Sequence, residues 1–257
     1  MTFERSEDYE LVTFVSLVVL FGVLEAVAPA RQVNRREQLP MDLLAAAVAL
    51  LGVSLTRWAC KTTLGPLAPD PTAPASGLGV LSALASLPSV LKVGVAIVVV
   101  DFCLYWVHRA MHTAPLWRTH MLHHSPEHMY WLAGLRTSLT HVAMFTAPQV
   151  IVPFFVFSTS ALEGAVVVGA INVAQFVTHA NLRLRLGPLG RVLVMPAVHR
   201  LHHAREDHHR RNFASLLVVW DRLFGTYQDP DVIQGEIALG LQEDRHRALG
   251  LRGLVGV

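Results

Sequence analysis

Apolar residues fall along this chain in runs of membrane-spanning length, separated by short stretches rich in charge or proline. Residues 1–10 are polar and acidic, with Glu4, Glu7, Asp8 and Glu10. Residues 11–30 then stay apolar for the ~20 positions a helix needs to cross a bilayer, with Glu25 as their only charge, either near the interface or facing a neighbouring helix. The acidic flank, and the lack of a small-residue cleavage site after the run, argue against a removed signal peptide. Loop 31–40 carries Arg31, Arg35 and Arg36, which marks the cytoplasmic side, and residues 43–60 return across the membrane. Gly65, Pro66, Pro69, Pro71 and Pro74 mark 61–77 as an external loop. The apolar stretch 77–106 exceeds one span and is broken by Pro88 and Lys92, which predicts a short interfacial helix and then a spanning helix from about residue 91. Residues 142–158 and 162–177 form an apolar hairpin with Pro148 and Pro153 in its first arm. From residue 181 the chain is amphiphilic and Arg-rich, so the same charge rule places it in the cytoplasm.

These elements predict an all-α integral membrane helical bundle with a histidine-rich cytoplasmic helical cap. It forms one membrane-embedded domain over residues 1–257, with amino-terminal spans in about 11–60 and a core in about 95–230. Five spans with the amino terminus outside is the expected count, and four follows if part of 43–60 or 77–106 is re-entrant. Composition agrees: the 257 residues are 53% hydrophobic and 16% charged, with a mean hydropathy of +0.43, too apolar for an ordinary soluble domain. A formal charge of +2 gives no argument for nucleic acid. The Arg residues at 183, 185, 191, 210 and 211 read as a surface facing solvent or lipid headgroups. Cys60 and Cys103 lie in apolar runs and supply neither a disulfide framework nor an iron–sulfur motif.

Histidine changes the picture, because every one of the 14 except His246 falls between residues 108 and 209. Asp101, Tyr105, His108 and His112 stand at i, i+4, i+7 and i+11, one face of a helix. Two imidazoles a turn apart reach one metal ion, with Asp101 and Tyr105 behind them to orient rings or solvent. His120, His123 and His124 repeat the device at i, i+3 and i+4, and His199, His202 and His203 share that spacing. Imidazole suits Zn, Cu, Fe and Ni, and eight such ligands are too many for one ion, so two metals are implied. A structural zinc staple usually draws on cysteine, and a hydrolytic zinc takes about three ligands and a nearby carboxylate. Either leaves most of these histidines unexplained, whereas a dinuclear iron site that activates O2 at the membrane surface uses nearly all of them.

His108-Arg-Ala-Met-His112, His120-Met-Leu-His123-His124 and His199-Arg-Leu-His202-His203 resemble the three histidine boxes of the fatty acid hydroxylase/sterol desaturase superfamily of membrane di-iron oxygenases. Asp101 and Tyr105 before the first box, Leu116-Trp117 before the second, Ser125 and Arg136 after it, and the run from Trp220 to Thr226 match as well. The resemblance covers about 95–230, and the short bacterial members and the alkylglycerol monooxygenase branch look nearest. It implies O2-dependent hydroxylation or desaturation of an unactivated C–H bond in a lipid or sterol-like substrate. The eight box histidines would be the ligands of two Fe ions, and His179 matches an extra histidine between boxes two and three. It also implies an external reductant delivered by a ferredoxin, a cytochrome b5-like protein or a reduced pterin, at the cytoplasmic side of a bacterial inner membrane.

Some positions depart from the family pattern. Arg136-Thr-Ser-Leu-Thr-His141 stands where Arg-x-His-Pro-x-Glu is common, so His141 is either a tenth ligand or a support for one in place of the Glu. Met129-Tyr130 replaces a polar pair, Arg210 replaces an acidic residue two places before Asn212, and Phe213-Ala214 replaces aromatic-Gly. Arg136 and Asn212 are expected beside the ligands. His128, His208 and His209 stand in polar loops and read as solvated, and the run 220–227 reads as a packed turn closing the cap. Two other classes remain: a histidine-rich membrane metal transporter, which places ionisable groups near mid-span, and a membrane metallohydrolase, which turns over without O2 or reductant. The oligomeric state is left open.

Overall fold

The computed structural model describes residues 2–67, 80–184, 186–205, 210–232, 237–242 and 244–257. Arg185, His208, His209 and the prolines at 69, 71 and 74 lie outside the described residues. The helices are α1 (Thr2–Val27), α2 (Leu39–Leu64), α3 (Val80–Ala85), α4 (Ser89–Met111), α5 (Trp117–His120), α6 (Leu139–Ile151), α7 (Ala161–His179), α8 (Pro196–His202), α9 (Val219–Leu223), α10 (Arg245–Leu249) and α11 (Leu251–Val255). Among the described residues the extended pairing amounts to isolated bridges, Leu193 with Leu217 and Ala204 with Leu239.

Among the described residues, five segments are long and apolar enough to cross a membrane: Ser6–Val27, Leu39–Leu64, Ser89–Met111, Leu139–Val156 and Ala161–His179. Residues 43–60 belong to one unbroken helix, and the described part of the next run, 80–106, divides at Pro88, whose ring cannot continue a helix and which serves as the N-cap of α4. Pro148 and Pro153 each remove a backbone donor from the fourth segment. Past Pro148 the helix widens into a π-turn over Val152–Val156, and Phe157 N donates to Val152 O at 3.1 Å. Ser160 and Glu163 then restart the chain as α7 with a capping box.

The bundle packs α1 along α7, where Phe14 and Phe21 flank Phe176 at ring separations of 5.8 and 5.5 Å. α2 lies along α6, and Gly52 permits the approach: a Cβ there would stand 3.0 Å from Leu139 and 3.1 Å from Val142. α4 sits against both α6 and α7, burying Val100, Leu104 and Met111 with Phe145, Val167 and Ile171. Outward faces carry exposed Leu11, Val15, Val19, Leu50, Leu55 and Trp58, a coat that suits hydrocarbon rather than water.

One end of the bundle gathers loop 28–38, the carboxyl ends of α4 and α7, and the amino end of α6. Glu25 braces it from within: buried on α1, it pairs with Arg35 at 2.8 Å and accepts from Trp131 N at 2.9 Å and Asn181 N at 2.8 Å. Arg136 reaches back to Asp42 on α2 at 2.5 Å, and Tyr130 O–H donates to the other oxygen of the same carboxylate. The opposite end is tied by Arg57 to Glu10 and by Lys92 to Glu163 at 3.8 Å.

Candidate metal centre

Four pieces of chain deliver histidines to the braced end. α4 carries His108 on its last turn and has His112 as its C-cap. α5 is a single turn ending at His120, and His123 and His124 lie in the turns that follow. α7 ends on His179. α8 opens at Pro196, whose fixed φ suits a first helical position, and bears His199 and His202 with His203 as C-cap.

The nine form two groups. His108, His112, His120, His124 and His202 offer ring nitrogens within 4.8 Å of one another, and so do His123, His179, His199 and His203. Each i, i+4 pair stays together, 108 with 112, 120 with 124 and 199 with 203, because one turn returns a side chain to the same face. The odd histidine of each later set crosses over. Adjacent helical residues point about 100° apart, so His202 and His203 enter different groups, and the chain leaves the helix after His120, so His123 and His124 diverge too. The spacing alone suggested a shared face for each set; the structure divides the second and third sets between the groups.

In the second group, Nε2 of His179 lies 3.1 Å from Nε2 of His123 and 3.0 Å from that of His199, which is 3.2 Å from that of His203. In the first, Nε2 atoms of His108 and His120 stand 3.0 Å apart. A neutral imidazole has one N–H and one lone pair, so four converging Nε2 atoms cannot satisfy one another. A shared cation can. Two nitrogens about 2.1 Å from an ion, at an angle of about 90–109°, stand about 3.0–3.4 Å apart. Nε2 of His124 adds a buried nitrogen with no hydrogen-bond partner. The residues fit two metal ions.

The outer nitrogens set the tautomers. Nδ1 of His108 donates to Phe213 O at 2.7 Å, Nδ1 of His179 to Gln175 O at 2.8 Å and Nδ1 of His202 to Arg211 O at 2.7 Å. A carbonyl only accepts, so each Nε2 keeps its lone pair for the interior. His141 belongs to neither group: its Nδ1 lies 3.0 Å from Nδ1 of His120, behind that ring, and it packs on Phe145 at 4.6 Å. Trp117 closes the first group from outside, 5.3 Å from both His112 and His124.

Burial, reinforced by neighbouring histidines, holds His120, His123, His124, His199 and His203 well below the ordinary histidine range. These rings stay neutral in the fold but protonate near pH 6.5 in an unfolded chain. Below that pH the unfolded state binds more protons, so this contribution to the stability of metal-free protein is present above pH 6.5 and lost as pH falls toward the folded values. Metal retained after passage over a chelating column should therefore fall between pH 7 and pH 5, together with the melting temperature of the apo-protein. A flat profile across that window would contradict neutral, converging imidazoles.

Asp101 and Tyr105 take places that the sequence did not anticipate. Among the described residues neither bonds a histidine. Asp101 accepts from Leu216 N at 2.9 Å, Leu217 N at 3.0 Å and Trp220 Nε1 at 2.8 Å, and Tyr105 O–H meets Thr226 Oγ1 at 2.9 Å. Asp221 accepts from Phe213 N, Ala214 N and Thr226 Oγ1, and burial raises its carboxyl above the ordinary range. Asn212, at φ +58°, bonds Val198 O and both backbone groups of Gln228. Residues 211–228 are thus a clamp. It presents Phe213 O to His108 and Arg211 O to His202, and Asp101 and Tyr105 act on the rings through it. The run 220–227 belongs to this clamp. Arg136 ties α2 to the turn after His124 through Ser125 Oγ at 3.1 Å. Main-chain roles of Phe213, Gln175 and Arg211 leave no mark in a sequence.

Gly134, which no spacing in the sequence singles out, lies against a ligand-type ring. A Cβ at Gly134 would meet His179 Cγ at 2.6 Å and its Cβ at 2.9 Å. Gly134→Ala is expected to displace that ring, destabilising the fold by about 1–3 kcal/mol and weakening metal retention about tenfold. Metal content across a chelator titration checks this; unchanged retention would show that His179 has room to shift.

A cavity of about 140 Å³ starts at His108, His120, His123 and His199 and runs past Val142 and Phe145 into the bundle, reaching Gln149 and Asn172.

Residues 93–226 match the sequence profile of the family described as fatty acid hydroxylase. The chain belongs to that family. Among relatives, the alkylglycerol monooxygenase of Danio rerio is 37% identical over 134 residues, half of this chain and 28% of that protein. The ornithine lipid hydroxylase OlsE of Rhizobium tropici is 31% identical over 165 residues, 60% of this chain and 49% of that one. The Delta(7)-sterol 5(6)-desaturase erg3A of Aspergillus fumigatus is 25% identical over 147 residues, 56% of this chain and 39% of that one. The match thus spans about half or less of each of these fatty acid hydroxylase relatives. No solved structure matches the chain.

Proposed function

We propose that the whole chain is one membrane oxygenase domain that hydroxylates or desaturates a lipid C–H bond. The observation that carries this reading is the convergence of nine histidines into two groups at the mouth of a cavity that runs between membrane-length helices. His108, His112, His120, His124 and His202 would hold one iron, and His123, His179, His199 and His203 the other. Bound iron would supply the activation of O2, using electrons from outside the chain.

The protein's own groups do the rest. The carbonyls of Phe213, Gln175 and Arg211 hold ring tautomers, and His141 holds the ring of His120. Phe145 and Phe213, 5.9 and 5.8 Å from the His108 ring, shield the site from water. The cavity admits an alkyl chain. Among the described residues, Arg57, Lys61 and Lys92 lie toward the opposite end, with Arg5 at the start of α1. Most of the remaining basic residues share the histidine end, which supports a cytoplasmic site. A ferredoxin, a cytochrome b5-like protein or a reduced pterin is the reductant this reading requires. The histidines cluster at the ends of α4 and α7 rather than at mid-span, which disfavours an ion pathway.

The test is to purify the protein without oxygen, load it with ferrous iron, and assay a membrane lipid extract with O2 and reductant. Near two irons per chain, with lipids that gain an oxygen atom or lose two hydrogens only when both O2 and reductant are present, is the expected result. Lipid turnover without either would replace this reading with a metallohydrolase.

A further inference from the structure

Three carboxamides sit where the bundle would be expected to be dry. Gln149 on α6 and Asn172 and Gln175 on α7 line the cavity that opens at the histidines, and all three lie inside membrane-length apolar helices. The side chains of Asn172 and Gln175 make no hydrogen bond to protein among the described residues. Gln149 Nε2 donates to Phe145 O of its own helix at 3.0 Å, which leaves its Oε1 open. An unpaired amide in apolar surroundings is costly, and polar side chains within spans are retained where a ligand uses them. The walls beside them include apolar Ala49, Val53 and Val142, with Thr146, one turn before Gln149, as a hydroxyl of the same lining.

Depth follows from the helices. Gln149 is eight residues past His141 on α6, and Asn172 is seven before His179 on α7. At about 1.5 Å per residue both amides lie about 10–12 Å below the histidines. An extended alkyl chain advances about 1.3 Å per carbon, so a group held at that level stands roughly eight carbons from one beneath the metal groups.

Resting on the lipid-oxygenase reading, we propose that the cavity selects acyl chains that themselves carry a hydrogen-bonding oxygen or amide about eight carbons from the carbon offered to the histidines, with Asn172 and Gln149 determining that specificity. A plain hydrocarbon chain leaves the amides unsatisfied and is disfavoured for that reason.

The probes are stearic acid and 10-hydroxystearic acid, each competed against a fluorescent fatty acid on metal-loaded protein in detergent. The wild type should bind the hydroxy acid about tenfold more tightly. Asn172→Leu with Gln149→Leu should abolish that preference by weakening the hydroxy acid alone, and Asn172→Gln should retain most of it. Equal affinities in the wild type, or a preference that survives the double variant, would overturn the proposal. Metal content of the same samples reports that the fold is intact, and should the double variant fail to load, Asn172→Leu and Gln149→Leu singly carry the comparison. Absence of O2-dependent turnover with any lipid would count against the oxygenase reading, not against the binding preference.

Discussion

His123→Ala is expected to strip one metal from the protein while its neighbour His124→Ala keeps both. The two residues are equivalent by spacing, and the structure separates them. His123 belongs to the four-histidine group, so its loss leaves His179, His199 and His203; His124 belongs to the five-histidine group, so its loss leaves four imidazoles. Removing a ligand from the smaller set should weaken that ion by at least about 100-fold, beyond what loss of a mere supporting group does. Metal per chain after gel filtration in mild chelator should fall from about two to about one in His123→Ala, as expected for four-coordinate ligation, and stay near two in His124→Ala. Turnover should be lost in His123→Ala. Equal metal loss in the two variants would overturn the five-and-four division.

Asp101→Ala should be the most destabilising change away from the histidines. The carboxylate is fully buried and satisfies three donors, Leu216 N, Leu217 N and Trp220 Nε1. Truncation orphans all three, at about 1–3 kcal/mol each before relaxation, so a loss of about 3–5 kcal/mol is expected. The clamp that presents Phe213 O to His108 should loosen with it, lowering metal content in the five-histidine group. Asp101→Asn keeps one oxygen acceptor and should fall between. The midpoint of heat-induced loss of the monodisperse detergent peak measures the first effect and metal content the second. A variant that melts like the wild type would mean the 216–220 segment is held from elsewhere.

The spans were legible because a bilayer leaves a long apolar run few alternatives to a helix. The break at Pro88 was marked by its proline, whereas the Ser160–Glu163 capping box that starts α7 emerges only in the structure. Histidine spacing pointed to metals, since i, i+4 pairs survive into the fold. What spacing could not carry was the division of His202 from His203 and of His123 from His124, which depends on where α5 stops and how α8 is rotated. Asp101 misled for a similar reason: a helix face states which residues align, not that a clamp from more than 100 positions later will take the carboxylate first. Gln149, Asn172 and Gln175 are legible as polar residues inside spans, but nothing in their spacing says that they line one cavity.

The sharing of α8 between the two groups imposes an order in time. A nascent chain that has extended only through α7 already holds four of the five histidines of the first group, but only His123 and His179 of the second. The second ion therefore has no adequate seat until α8 has emerged and docked. Metal supplied during synthesis would fill the first position early and the second late, so cells starved of metal should accumulate chains whose carboxyl-terminal third is open to protease while the membrane bundle is already built.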